Sequence, residues 1–374
     1  MDTTAATPKL TRDPRRWAAS TTREDLIAAA FGLWLMGALY TDGWAHLNVP
    51  GMETFFTPWH AVLYSGFAAL ALWTARLGWK QWRARPHESA SQSWPLRARM
   101  AFPPGYGLSA IGVGVFLLGG VGDMLWHTLL GIETGIDALV SPTHLLLLVG
   151  AGLLVSGPVR ADRLTRRSGS LVSWPAVISY AVVAGIAGFF LSYTSVFVTP
   201  LARIPMTTIP EGAPGHEAGE MPTSLGLASY LLTTALLTVP LLMASNGRRL
   251  PTGAITMLVA LAAIPGAALQ NWQNIVAAIA AVLGAAVADI AVSAARTRRP
   301  EHQGWVAAVP LFVWPAQLLG LHLSVGVAWT VELWAGVVAL TVVEAVVLGR
   351  LLVTPPDDVA QPATLGHGRS PATQ

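Results

Sequence analysis

Long apolar stretches, broken at regular intervals by short polar or proline-rich segments, dominate the chain from Asp25 onward. About 20 residues of apolar helix cross a bilayer. On that measure the pattern predicts ten helices, at roughly 25–46, 57–79, 105–130, 141–158, 171–196, 224–244, 252–269, 273–294, 304–322 and 326–349. Pro265 interrupts the seventh and Pro310 and Pro315 the ninth, which neighbouring helices can accommodate inside a membrane. The fold class expected is all-α, a polytopic integral membrane protein. Residues 1–24 read as a basic cytoplasmic arm, 25–158 as two similar helix pairs, and 159–350 as the remaining membrane helices with an outer loop at 197–223. Residues 351–374 read as a disordered cytoplasmic tail. Asp25 to Tyr40 opens a full span rather than a cleaved signal peptide.

Composition agrees. Charged residues are 11% of the chain and hydrophobic ones 53%, against about a quarter charged in soluble domains. There is no cysteine, so disulfides, thiolate metal sites and cysteine nucleophiles are excluded. In the ten-helix arrangement 22 of the 23 Lys and Arg residues fall on one side, and only Arg203 on the other. The positive-inside rule then puts both termini in the cytoplasm. The basic clusters read as topology signals and contacts with anionic lipid rather than as a nucleic-acid surface. The inner membrane is the expected location.

Against this charge-poor background one arrangement occurs twice. Asp42, His46, Glu53, Thr57-Pro58 and His60 are followed by Asp123, His127, Glu133, Ser141-Pro142 and His144, at offsets of 81, 81, 80, 84, 84 and 84. In the ten-helix arrangement both copies lie at the extracytoplasmic ends of helix pairs, one with two and three with four, as in a tandem repeat. Residues four apart share a helix face. Thr-Pro and Ser-Pro read as an N-cap with proline in the first turn, which returns the second His toward the first Asp and His. Two imidazoles and one carboxylate are a ligand set for copper, iron or zinc. Asp42, His46, His60, Asp123, His127 and His144 are therefore the expected metal ligands. Glu53 and Glu133 are the expected catalytic groups, as fourth ligands, orienting partners or proton acceptors. A polar helix end that merely reaches interfacial water is the plainer alternative, but ionisable groups in membrane segments default to function.

Other groups on the outer side are weaker candidates. The segment Glu211–Met221 reads as a loop containing His216. Gln270–Asn274 reads as a turn capping two helices, and Glu332 lies near the outer end of the last helix. Asp289 and Glu344 could begin a proton path from the cytoplasmic side. Trp44, Trp59 and Trp126 fit an interfacial aromatic belt. A Walker loop, a dinucleotide fingerprint, HExxH and the histidine boxes of membrane desaturases are all absent.

At Asp42, His46 and His60 the pattern resembles a metal site in the C subunit of particulate methane and ammonia monooxygenases. There an Asp and a His one helical turn apart join a His from the following segment to hold copper. The resemblance covers about twenty residues in each copy. It implies that Asp42, His46 and His60 are copper ligands and that Asp123, His127 and His144 are a second set. Ten spans and two copies depart from that family. The function expected is a metal-binding membrane protein, with copper or iron as cofactor and a small lipophilic substrate arriving from the bilayer. The alternatives are a metal-ion or proton-coupled transporter and a haem-binding or assembly protein. The tryptophan-rich external segment of haem-handling membrane proteins is absent.

Overall fold

The structure, a computed structural model, describes residues 19–50, 56–84, 101–131, 135–166, 169–298 and 303–352. Among these residues every regular element is a helix, apart from an isolated bridge between Leu171 and Arg249. Among the described residues eight helices are long and apolar enough to cross a membrane. Large apolar side chains such as Leu117, Leu118, Leu129, Val331, Val343 and Leu351 stand exposed on the outside of the bundle. An apolar exterior over a packed interior is the signature of a lipid-facing bundle.

The first pair is α1 (Thr22–Asn48) and α2 (Pro58–Arg83). A capping box between Thr21 and Glu24 starts α1. Thr57 caps α2, its hydroxyl accepting from the His60 N–H at 3.2 Å, with Pro58 at the first helical position. The second pair is α3 (Gly107–Leu130) with α5 (Pro142–Val155), preceded by the short α4 (Ile136–Val140). Ser141 and Pro142 repeat the Thr57-Pro58 start, Ser141 Oγ accepting from the His144 N–H at 3.4 Å. A turn at Ser156 ends α5, but the apolar span covers the expected 141–158 segment and runs on to Thr165. The chain continues as α6 (Gly157–Thr165).

Each pair is antiparallel, and both share one polar end. Lys80 Nζ near the end of α2 meets Glu24 at the start of α1 at 2.6 Å. The Tyr106 hydroxyl, just before α3, donates to Asp25 at 2.7 Å. Arg160 on α6 donates to Gly105 O at 2.7 Å and Ser109 Oγ at 2.8 Å. Glycine lets α3 and α5 touch closely: a Cβ on Gly150 would lie 2.5 Å from the Phe116 backbone nitrogen.

Next comes α7 (Trp174–Phe190), apolar on every face and buried along most of its length. It belongs to both main cores. Val182, Ile186, Phe189 and Phe190 join the core of the first two pairs, while Ala181 and Ala184 join that of the later helices. Those helices are α8 (His216–Ser245), α9 (Ala254–Leu269), α10 (Ile275–Arg298), α11 (Ala308–Ser324) and α12 (Val331–Leu352). At 17 and 16 residues α7 and α9 are short for a span, whereas α5 runs on through α6 (Pro142–Thr165) and α11 is extended by the turn before it (Gly304–Ser324) to crossing length. α7 and α9 rise only about 25 Å, less than the ~30 Å hydrocarbon core. α8 starts eight residues before the expected 224, so the segment read as a loop through Met221 is partly helical from His216.

Candidate metal centre

Both repeated sets converge. Asp42, His46 and His60 each offer a ligand atom, and these atoms lie within 4.8 Å of one another; the same holds for Asp123, His127 and His144. No other such group of three or more donors occurs among the described residues.

Helix geometry makes the first set. Asp42 and His46 are one turn apart near the end of α1, with Asp42 Oδ2 3.8 Å from His46 Nε2. The Thr57 cap fixes the first turn of α2, and there His60 Nε2 comes within 3.6 Å of the same oxygen. The two rings are 5.4 Å apart. On the α7 side of α1, Phe189 packs edge-on against Tyr40 at 5.3 Å, and the Tyr40 hydroxyl donates to Gly185 O at 2.9 Å. The Asp42 side chain is 10% exposed, and its Oδ1 has no hydrogen-bond partner. An unpaired buried carboxylate oxygen is costly in an apolar setting, and a cation held at Oδ2 among the imidazoles would offset the carboxylate's charge.

The second set is built the same way but bonded differently. Asp123 Oδ1 lies 3.4 Å from both His127 Nε2 and His144 Nδ1. It also accepts a hydrogen bond from the Thr143 hydroxyl at 3.0 Å. His144 Nδ1 is 2.7 Å from Ser141 Oγ. His127 Nδ1 lies 3.3 Å from Gly131 O. A backbone carbonyl on one ring nitrogen orients an imidazole so that the other faces a metal.

The two sets sit close together. Tyr64, one turn beyond His60, lays its ring against α3, where a Cβ on Gly120 would be 2.6 Å from the phenol oxygen. Gly120 is one turn before Asp123. Phe67 and Phe116 stack at 4.5 Å one turn deeper. The charges of Asp42 and Asp123 are near enough to act on one another.

Some expected participants have other roles or places. Glu53 and Glu133 lie outside the described residues. Asp289 accepts from the Ile255 N–H at 3.3 Å, the Thr256 N–H at 2.8 Å and the Thr256 hydroxyl at 2.5 Å. It caps the start of α9, which accounts for its burial without a proton path. His216 Nδ1 lies 2.7 Å from Ile209 O. The His322 ring packs against Trp334 at 5.6 Å. Glu332 is exposed, and Glu344 is half-buried on α12 with Oε2 unpaired.

Three contributors escaped the sequence reading. Thr143 bonds Asp123, and Tyr64 lies between the sets. The third is the brace behind His46. Trp44 Nε1 donates to Asn271 Oδ1 at 2.8 Å, the Asn271 amide donates to Asn48, and Asn48 donates to Leu269 O at 3.1 Å. The 270–274 turn, with Asn271 and Trp272 at positive φ (49° and 64°), thereby ties the end of α9 to the end of α1. Trp44 also meets Trp59 edge-on at 5.8 Å.

The class these features define is a multi-helix, membrane-type protein carrying two Asp/His/His clusters able to hold a metal ion. Comparison with protein-family models, with curated proteins and with solved structures finds no match.

Proposed function

We propose that this chain is a multi-pass inner-membrane metalloprotein that holds copper or iron at two adjacent sites under the extracytoplasmic surface. The observation carrying this reading is the pair of converging donor sets, one with an unpaired buried carboxylate oxygen, in a chain that places few ionisable groups among its apolar helices. Ten spans with both termini in the cytoplasm put the Lys80–Glu24 end inside and both triads outside. Two imidazoles and one carboxylate suit iron or copper with positions left open, and zinc also accepts them. A bound copper or iron would supply redox or oxygen chemistry, and a small lipophilic substrate would reach it laterally from the bilayer. In this reading Asp42, His46, His60, Asp123, His127 and His144 ligate, while Glu53 and Glu133 tune the ligands or move protons.

Transport is the second reading, favoured by the exposure of His46, which opens the first site to the outside. A transported ion also needs polar groups at mid-membrane. Buried groups there, such as Tyr230 with Gln317 and Thr234 with Trp314, bond to each other.

Elemental analysis of the purified protein tests the proposal. Copper or iron should be present, and His60→Ala and His144→Ala should each lose part of it. A chain free of transition metal after expression in metal-replete medium, and unable to take any up, would overturn it. Metal uptake by liposomes carrying the protein would move the assignment to transport.

A further inference from the structure

The two donor sets differ at one telling position. In the order of the repeat, Thr143 stands where the first copy has Trp59, each one residue before the second His. Trp59 turns toward Trp44. Thr143 instead puts its hydroxyl 3.0 Å from Asp123 Oδ1, the oxygen that both imidazoles of that set face at 3.4 Å. Asp42 has no such donor among the described residues. Its Oδ2 faces the imidazoles and its Oδ1 is unpaired.

The caps differ too. The hydroxyl of Thr57 accepts the backbone N–H of His60. That of Ser141 also reaches His144 Nδ1 at 2.7 Å, the same nitrogen that faces Asp123. A β-branched threonine is held at χ1, whereas serine turns more freely toward the ring.

Resting on the two-site reading above, we infer that the triads are unequal: Asp42/His46/His60 takes a divalent transition-metal ion first and more tightly, and Thr143 and Ser141 make Asp123/His127/His144 the weaker site. An ion entering the first set meets Asp42 Oδ2, the oxygen facing both imidazoles, with no hydroxyl bonded to that carboxylate. An ion entering the second shares Asp123 Oδ1 with the Thr143 hydroxyl, which draws off its charge, and competes with Ser141 for His144 Nδ1. An outer hydrogen bond strengthens a site when it orients a ligand; here it falls on the atom the ion needs. One lost or one satisfied buried hydrogen bond shifts affinity by about tenfold.

The test compares single-site proteins, so that repulsion between two bound ions plays no part. Zinc chloride is titrated against a chromophoric chelator into full-length His144→Ala, which keeps the first set, and into full-length His60→Ala, which keeps the second. The His60→Ala protein should bind about tenfold more weakly or worse. Adding Thr143→Val to His60→Ala keeps the side-chain shape, removes the hydroxyl and should tighten binding severalfold. Thr143→Val in the otherwise native chain should tighten the weaker step alone, and it reads the same quantity if His60→Ala folds poorly. Equal affinities, the reverse order, or no effect of Thr143→Val would overturn the inequality while leaving two sites standing. No zinc binding by the native chain would overturn the inequality, and absence of copper and iron as well would overturn the two-site reading.

Discussion

Replacing Asp42 by Asn should move the empty and the loaded protein in opposite directions. The carboxylate is 10% exposed, and Oδ1 has no partner. A buried group left unsatisfied costs about 1–3 kcal/mol, and more when charged. Asn keeps the shape and removes the charge, and its NH2 can turn toward the imidazole nitrogens 3.6 and 3.8 Å away. The metal-free protein should gain about 1–2 kcal/mol. Each kcal/mol shifts the melting midpoint by about 2–4 °C in chains of 150–250 residues, and by less in longer ones. A rise of about 1–3 °C with chelator present follows for 374 residues. Metal reverses the order: at a hundredfold excess over Kd, binding stabilises the native chain by about 2.7 kcal/mol, and Asp42→Asn loses that gain at the first site. Asp123→Asn is the internal control. Its amide oxygen can still accept from Thr143, so the chelated midpoint should barely move. The assay is thermal unfolding in detergent, followed by tryptophan fluorescence, with chelator and then with zinc. A chelated Asp42→Asn protein that melts below the chelated native chain would refute the claim that this carboxylate is strained without an ion.

Gly150→Ala sets a Cβ 2.5 Å from the Phe116 backbone nitrogen. It should cost about 1–3 kcal/mol and lower the folded yield on size-exclusion chromatography, whereas Gly114→Ala, with nothing within 4 Å, should not. Asp289→Ala removes the cap of α9 and should destabilise by about 0.5–2 kcal/mol with metal content unchanged; loss of metal or activity with normal stability would instead restore Asp289 to a proton path. Trp44→Phe deletes the 2.8 Å bond to Asn271, worth about 1 kcal/mol. It should speed release of metal from the first site and not the second, as read by chelator-capture kinetics in the His144→Ala and His60→Ala backgrounds.

What the sequence made legible is what lies within one helix or one cap. The Asp-to-His spacing of four residues puts two donors on one face, and Thr57-Pro58 and Ser141-Pro142 announce the returning helices. The apolar runs mark helices at each expected place. Contacts between distant segments carry no such periodicity. Nothing in Gln270–Asn274 says that it grips Asn48, and nothing in Thr143 alone says that it faces Asp123 while its counterpart Trp59 faces Trp44. The turn at Ser156 is legible only in three dimensions: the span expected at 141–158 runs on to Thr165, and Arg160 donates to Ser156 Oγ at 2.5 Å and to Leu153 O at 2.9 Å.

The double membership of α7 bears on how the protein is made. α1 meets it through Tyr40 and Gly185, and α5 through Ser179, whose hydroxyl donates to Val155 O at 2.6 Å. A nascent chain that has inserted only its first four long helices would still leave Met36, Tyr40 and Val155 without their α7 partners. The first two helix pairs would therefore reach their final packing only once the segment around Trp174–Phe190 has left the ribosome and entered the bilayer.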